Sequence, residues 1–191
     1  DVMNGVGAHE VIIESPHHIQ NMSQLSVDNI REVLWMYRDR LVDLKRDPRL
    51  VHGLIFKNKG ALAGASLEHT HSQLIVTPIV PSMVADEVAG GLQHYRIKQR
   101  CIWCDIVRQE RQGRARLVGE RGGFVAVTPF APRFPFETWI LPTAHRSSYP
   151  DTAAEEFDAL AQLTGTVLQR MSRYLSDPPY NLMLHSAPLR T

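Results

Sequence analysis

His69 and His71 place two imidazoles one residue apart, and Gln73 follows them by two more. On extended backbone, side chains alternate between faces, so His69, His71 and Gln73 share one side and Thr70 takes the other. Residues 58–66 (NKGALAGAS) lead into them as a loop of small side chains: Gly60, Ala61, Ala63, Gly64, Ala65 and Ser66. Small residues let backbone N–H groups close on a phosphate, although the G-x-x-x-x-G-K-[ST] spacing of a Walker loop is absent. A loop able to hold a phosphate therefore runs directly into two imidazoles and an amide. The second cluster is Cys101-x-x-Cys104, which contains the only two cysteines of the chain. Two thiols so close make a poor disulfide framework, and the spacing points to a metal or redox role.

These residues need elements to position them. Residues 10–14 (EVIIE) alternate as a strand ended by Pro16, with His17 and His18 at its exit. A helix starts at Ser26, whose hydroxyl can cap it; Asp28 suits its positive end, and Ile30, Val33, Leu34, Tyr37, Leu41 and Leu44 form one apolar face. Asp47-Pro48 stops it. Residues 51–57 form a second strand that delivers the chain to the Asn58 loop, and 72–77 form a third. Residues 82–99 read as a link. Beyond the cysteines, 111–116 read as a polar turn, 117–120 and 124–128 as a hairpin, 136–141 as a strand running to His145, 152–175 as a helix and 180–185 as a last strand.

The two halves superimpose at a constant offset of 127 residues: Glu10 falls on Glu137, Ile13 on Ile140, His18 on His145, and Ile30, Val33, Leu41 and Leu44 on Phe157, Leu160, Leu168 and Met171. Asn58 falls on His185. One offset that matches strand, exit histidine, helix face and next strand indicates a tandem duplication. The first unit is expected over residues 1–95 and the second over 96–191. By the same offset, the partner of Cys101-x-x-Cys104 would lie upstream of Asp1, and that of His69-x-His71 downstream of Thr191, so the sequence reads as the middle of a longer protein.

Zinc takes four ligands in a tetrahedron, from thiolate and imidazole. Cys101, Cys104 and His145 would supply three in the second unit, and His18 and His69 two in the first, with the remaining ligands in the segments beyond either end. His145 at the repeat-matched place favours metal over a redox pair. His17 has no repeat counterpart among the candidate ligands and is expected to be exposed.

Size and composition bound the rest. The chain has 191 residues, 43% of them hydrophobic and 21% charged, ordinary values for a globular protein of one or two domains. A net charge of +1, with no basic stripe interleaved with aromatics, gives no argument for nucleic acid. No apolar run is long enough to span a membrane, and the default compartment is the cytoplasm.

The string N-x-G-x-x-x-G-x-S-x-x-H-x-H-x-Q over residues 58–73 resembles the active-site signature of galactose-1-phosphate uridylyltransferases, in the histidine-triad superfamily. HEVIIESPHH, CIWCDIV, RFPFETWILPTAH and YNLMLHSAP resemble further blocks of that family, so the likeness covers nearly the whole chain. The family usually carries Pro between its two histidines. Thr70 stands there in this chain, as Ser or Thr does in the related ADP-glucose phosphorylases, and its hydroxyl is expected to reach solvent or backbone.

The resemblance implies an α+β fold of two tandem histidine-triad-like units, each an antiparallel sheet with a packed helix. It also implies zinc on His69, catalysis by His71, and a homodimer. A neutral imidazole suits that role, being nucleophilic near neutral pH and a good leaving group once phosphorylated. Gln73, Ser66 and the backbone of Gly64, Ala65 and Ser66 would hold phosphoryl oxygens, and Asn58 a phosphate or ribose. His185 is either a structural histidine or a substrate contact. The expected activity is transfer of UMP between UDP-glucose and galactose 1-phosphate through a nucleotidyl-histidine. The alternatives are phosphorolysis of ADP-glucose and a zinc-stabilised binding module without chemistry. A pure binding module has no need of His71 and Gln73 beside such a loop.

Overall fold

The structure, a computed structural model, describes residues 5–19 and 21–190. In chain order the main elements are β1 (Ala8–Ile13), α1 (Val27–Leu44), β2 (His52–Lys59), β3 (His71–Thr77), α2 (Ser82–Lys98), α3 (Ile102–Gly113), β4 (Leu117–Arg121), β5 (Phe124–Val127), β6 (Trp139–Pro142), α4 (Phe157–Tyr174) and β7 (Tyr180–Leu184). The strands form two antiparallel sheets, ordered β1-β3-β2-β7 and β4-β5-β6. The fold is thus α+β, as the sequence implies. Among the described residues no helix is long and apolar enough to cross a membrane.

Helix α1 begins as its sequence dictates. The Ser26 hydroxyl accepts the Asn29 N–H at 3.2 Å, Asp28 lies in the first turn, and Ile30, Val33, Leu34, Tyr37 and Leu41 are buried. These side chains join Phe157, Leu160, Ala161, Leu163, Val167 and Leu168 of α4, with Ile12, Ile55, Leu74 and Val76 of the first sheet, in one hydrophobic core. The last strand of the second repeat also lies in the first sheet, where β7 pairs with β2.

That pairing carries the duplication into three dimensions. Phe56 faces Met183, its own image at the 127-residue offset, and the flanking pairs Ile55–Leu184 and Lys57–Leu182 exchange under the same offset. A local two-fold therefore passes between β2 and β7, and α1 packs against its counterpart α4. Their approach is close at Gly165, where an added Cβ would stand 3.1 Å from Ile30 Cδ1. Gly165→Val should overpack this contact and cost about 1–3 kcal/mol, read as a lower denaturant midpoint at unchanged slope.

Several elements differ from expectation. Residues 82–98 form helix α2 rather than an irregular link; none of its residues is buried and its apolar side chains Met83, Val88, Leu92, Tyr95 and Ile97 lie exposed around it, which blurs the helical period. The division expected between residues 95 and 96 falls inside this helix. Helix α3 begins at the C-x-x-C motif, with Cys101 as its N-cap, and continues to Gly113 through half of the expected polar turn. Strand β6 begins at Trp139 rather than 136, because Phe136 has φ of 62°, a left-handed conformation that no strand accommodates. Helix α4 begins at Phe157 rather than 152, after two single turns of 3-10 helix. Strand β2 continues through Asn58 and Lys59, so Asn58 is held on a strand before the loop opens.

Candidate functional site

The register of the first sheet builds one row of side chains. Ile13 faces His71 across β1–β3, and Asn58 faces Asn181 across β2–β7. Continued two residues past its last pair, Phe56–Gln73, the β2–β3 register sets Asn58 opposite His71. Gln73 lies in the adjoining row with Val11, Phe56 and Met183. Alternation puts Ser72 and Leu74 on the other face, and both are fully buried. His71, Asn58, Gln73 and Asn181 thus share the sheet face opposite the core.

His71 is itself buried, at 4% exposure, and its Nδ1 lies 2.8 Å from the His69 carbonyl. A carbonyl only accepts, so Nδ1 carries the proton and Nε2 presents the lone pair. The same logic applies to His69, whose Nε2 donates to the Ser15 carbonyl at 2.8 Å and whose Nδ1 is left as the basic nitrogen. Gln73 Oε1 lies 3.1 Å from His9 Nε2.

The loop folds over Asn58. Gly60 and Gly64 both have φ of 85°, which a side-chain-bearing residue adopts only under strain, and the Ala61–Ala63 turn lies between them. The N–H groups of Ala63 and Ala65 donate to the Gly60 carbonyl, and that of Gly64 to the Ala61 carbonyl. Gly64 and Ala65 therefore engage their backbone donors inside the loop. Ser66 is exposed beyond it. Asn181 Nδ2 donates to Asn58 Oδ1 at 2.8 Å and to the Ala63 carbonyl at 3.0 Å, so a residue of the second repeat fixes both the asparagine and the loop of the first.

Thr70 does not reach solvent. It is 1% exposed, turned into the core, and its hydroxyl donates to Glu14 while accepting from Lys57 at 2.9 Å. Lys57 Nζ also donates to Glu14 Oε2 at 2.8 Å and to the His71 carbonyl at 2.9 Å. Glu14 further accepts from the Ser72 hydroxyl and from Tyr37 at 3.4 Å. Burial lowers the Lys57 pKa while Glu14 opposes the shift, and burial beside Glu14 drives Tyr37 well above its usual range, so the phenol stays protonated. A pair whose side chains are 1% and 0% exposed is a buried ion pair, and removing one partner strands a charge at a cost of about 3–5 kcal/mol. The sequence reading missed Glu14, Lys57 and Asn181. Lys57 had a signal: alternation places it inward with Gly53 and Ile55, and a lysine in a core-facing position requires a partner.

At the other cluster, the ligand atoms of Cys101, Cys104 and His145 all lie within 4.8 Å of one another, and Cys104 Sγ is 3.2 Å from His145 Nδ1. These three could form a metal site, and two thiols with an imidazole suit zinc. Burial, then the hydrogen bond with Cys101, raises the Cys104 thiol pKa, so cation binding there would displace protons. In the first repeat the His18 and His69 rings meet edge to face at 5.6 Å. His17 is exposed, as expected. His185 Nδ1 lies 3.3 Å from Glu87 of α2. Nearby His52 is buried with an unpartnered Nδ1, and burial followed by the proximity of His185 lowers its pKa, keeping it neutral.

Residues 2–81 match the family described as galactose-1-phosphate uridyl transferase, N-terminal domain, and residues 89–191 match its C-terminal domain. The chain is 35% identical over 189 residues to an ADP-glucose phosphorylase of Arabidopsis thaliana, covering 97% of this chain and 52% of that protein. It is 29% identical over 183 residues to the galactose-1-phosphate uridylyltransferase of Thermotoga maritima, covering 95% and 57% respectively. In three dimensions it resembles the Arabidopsis ADP-glucose phosphorylase with bound ADP-glucose, with a TM-score of 0.92 and 33% identity over all of this chain and 60% of that one. A uridylyltransferase structure gives a TM-score of 0.90 at 31% identity, over 96% and 58%. The chain spans about half the length of the curated relatives it matches.

Proposed function

The chain belongs to the galactose-1-phosphate uridyl transferase family, and from that premise we propose that it is the part of a nucleotidyltransferase that carries the nucleophile. The observation that carries the reading is the hydrogen bond from His71 Nδ1 to the His69 carbonyl, which fixes the tautomer with Nε2 free for attack. Nε2 attacks the α-phosphorus of a nucleoside diphosphate sugar. An N–P bond forms, the P–O bond to the sugar-bearing phosphate breaks, and hexose 1-phosphate leaves. A phosphate oxygen of the acceptor then attacks the same phosphorus, the N–P bond breaks, and His71 returns to its starting tautomer. Asn58, ordered by Asn181, holds the nucleotide, while Ser66 and Gln73 donate to the phosphoryl oxygens.

Zinc belongs to this reading as a structural ion. Cys101, Cys104 and His145 would hold one ion, and His18 and His69 would contribute to another. When bound it would cross-link the segments that carry its ligands, with no step of the transfer assigned to it. The division into units at residues 95 and 96, homodimeric assembly and a cytoplasmic location are parts of the same proposal.

The donor is the finer question. The 58–73 signature as a whole favours UMP transfer between UDP-glucose and galactose 1-phosphate. Phosphorolysis of ADP-glucose has two specific supports, Thr70 between the histidines and the higher identity to the ADP-glucose phosphorylase. A competition assay offering UDP-glucose and ADP-glucose, each with galactose 1-phosphate and with inorganic phosphate, separates them. Consumption of ADP-glucose with phosphate at least tenfold faster than the other pairs, about 1.4 kcal/mol in the barrier, establishes the phosphorylase reading. Preference for UDP-glucose with galactose 1-phosphate establishes the uridylyl reading.

A further inference from the structure

We propose that the buried Lys57–Glu14 pair, acting through Thr70, is the device that positions His71 for attack. This rests on the nucleotidyl-transfer reading above, in which His71 is the nucleophile.

The geometry is specific. The β2–β3 ladder ends at the Phe56–Gln73 pair, so the His71 carbonyl lies beyond the last paired residue of β2. Lys57 Nζ reaches that carbonyl at 2.9 Å, an ammonium donor where the ladder no longer continues. Its other two donors go to Thr70 Oγ1 and Glu14 Oε2, so all three protons of the ammonium are placed. Thr70 is gripped along its backbone too. Its N–H donates to the Ile19 carbonyl at 2.7 Å and its carbonyl accepts from the Glu14 N–H at 3.3 Å. Thr70 is the residue between the carbonyl that orients the His71 ring and His71 itself. Whatever fixes the Thr70 backbone and the His71 carbonyl therefore fixes the direction of Nε2.

A stability role alone does not call for this arrangement. A buried ion pair is often no more stabilising than apolar residues of the same volume, whereas displacing a reacting atom by about 1 Å can slow chemistry on the order of a hundredfold. Lys57, Glu14 and Thr70 lie on the core face of the sheet and His71 on the other, so they are positioning residues that act through the peptide.

The test measures transfer of labelled nucleotide onto His71 in single turnover, using the full-length protein with saturating nucleotide sugar. Thr70→Val keeps the shape and removes the hydroxyl; Thr70→Ser keeps the hydroxyl. The double variant Glu14→Gln/Lys57→Met removes both charges together and leaves neither unpaired. Thr70→Val should slow labelling about tenfold and the double variant about a hundredfold, with the dissociation constant of the nucleotide sugar changed less than about threefold. Thr70→Ser should label within about threefold of the unaltered protein. A double variant or a Thr70→Val protein that labels as fast as the unaltered protein overturns the positioning role. Should the double variant fail to fold, the Val and Ser pair decides alone. Failure of the unaltered protein to label His71 at all overturns the nucleotidyl-transfer reading, and the positioning role with it. Labelling in the unaltered protein with undiminished variants overturns only the positioning role.

Discussion

The His71→Asn protein should take up no nucleotide and lose turnover by a factor on the order of 10⁴ or more, while its thermal midpoint should stay close to that of the unaltered protein. The size of the effect follows from the role. In the proposed mechanism the imidazole makes and breaks the bond to phosphorus, and asparagine offers no basic nitrogen to replace it. The preserved fold follows from the geometry. His71 lies on the face opposite the core, and the core contacts of its strand come from Ser72, Leu74 and Val76. Its Nδ1 bond to the His69 carbonyl is a contact that an asparagine amide can also approach. In the unaltered protein, incubation with labelled nucleotide sugar should give a phosphoramidate that acid cleaves and base spares, mapped to His71 by mass spectrometry. If the Asn variant still exchanged label between sugar phosphate and nucleotide sugar, the nucleophile would lie elsewhere.

Cys101→Ser should remove one zinc ion per chain and lower thermal stability before it changes the chemistry. An ion held by the thiols of Cys101 and Cys104 and the imidazole of His145 would tie the start of α3 to the segment after β6, beside the edge-to-face Trp103–Trp139 pair and the small core of Val107, Val125 and Val127. A structural ion there contributes directly to folding, and with several kcal/mol lost the thermal midpoint should fall by about 10 °C or more. His18→Ala should weaken the other ion, since it removes one of the two imidazoles that meet in the first repeat. Metal content of protein purified without chelator, measured by elemental analysis beside melting curves, checks both. Protein that holds no zinc, or a Cys101→Ser variant that melts with the unaltered protein, would sink the structural-metal reading.

Much of the candidate site was legible because its pattern lies in local spacing. His69, His71 and Gln73 share a face through the two-residue period of a strand, and the offset that relates His18 to His145 also finds both long helices and the strands that follow them. Other features depended on tertiary context. Helix α2 has no buried side to give it a period, and the left-handed Phe136 sets the start of β6 through backbone geometry that residue type does not reveal. The loop donors of Gly64 and Ala65 looked available as a composition, but the loop closes on its own carbonyls.

The sequence by itself determined the candidate residues for chemistry, the duplication that frames them, and the family signature of the 58–73 stretch. These are written in residue types and short spacings, which the chain carries whether or not it is folded. Only the tertiary structure decided which distant residues support them. Glu14 reaches Lys57 and Thr70 because β1 lies beside β3, and Asn181 reaches Asn58 because β7 of one repeat pairs with β2 of the other. Both contacts arise from strand order, which is set by how apolar faces are buried together and not by the order of residues along the chain.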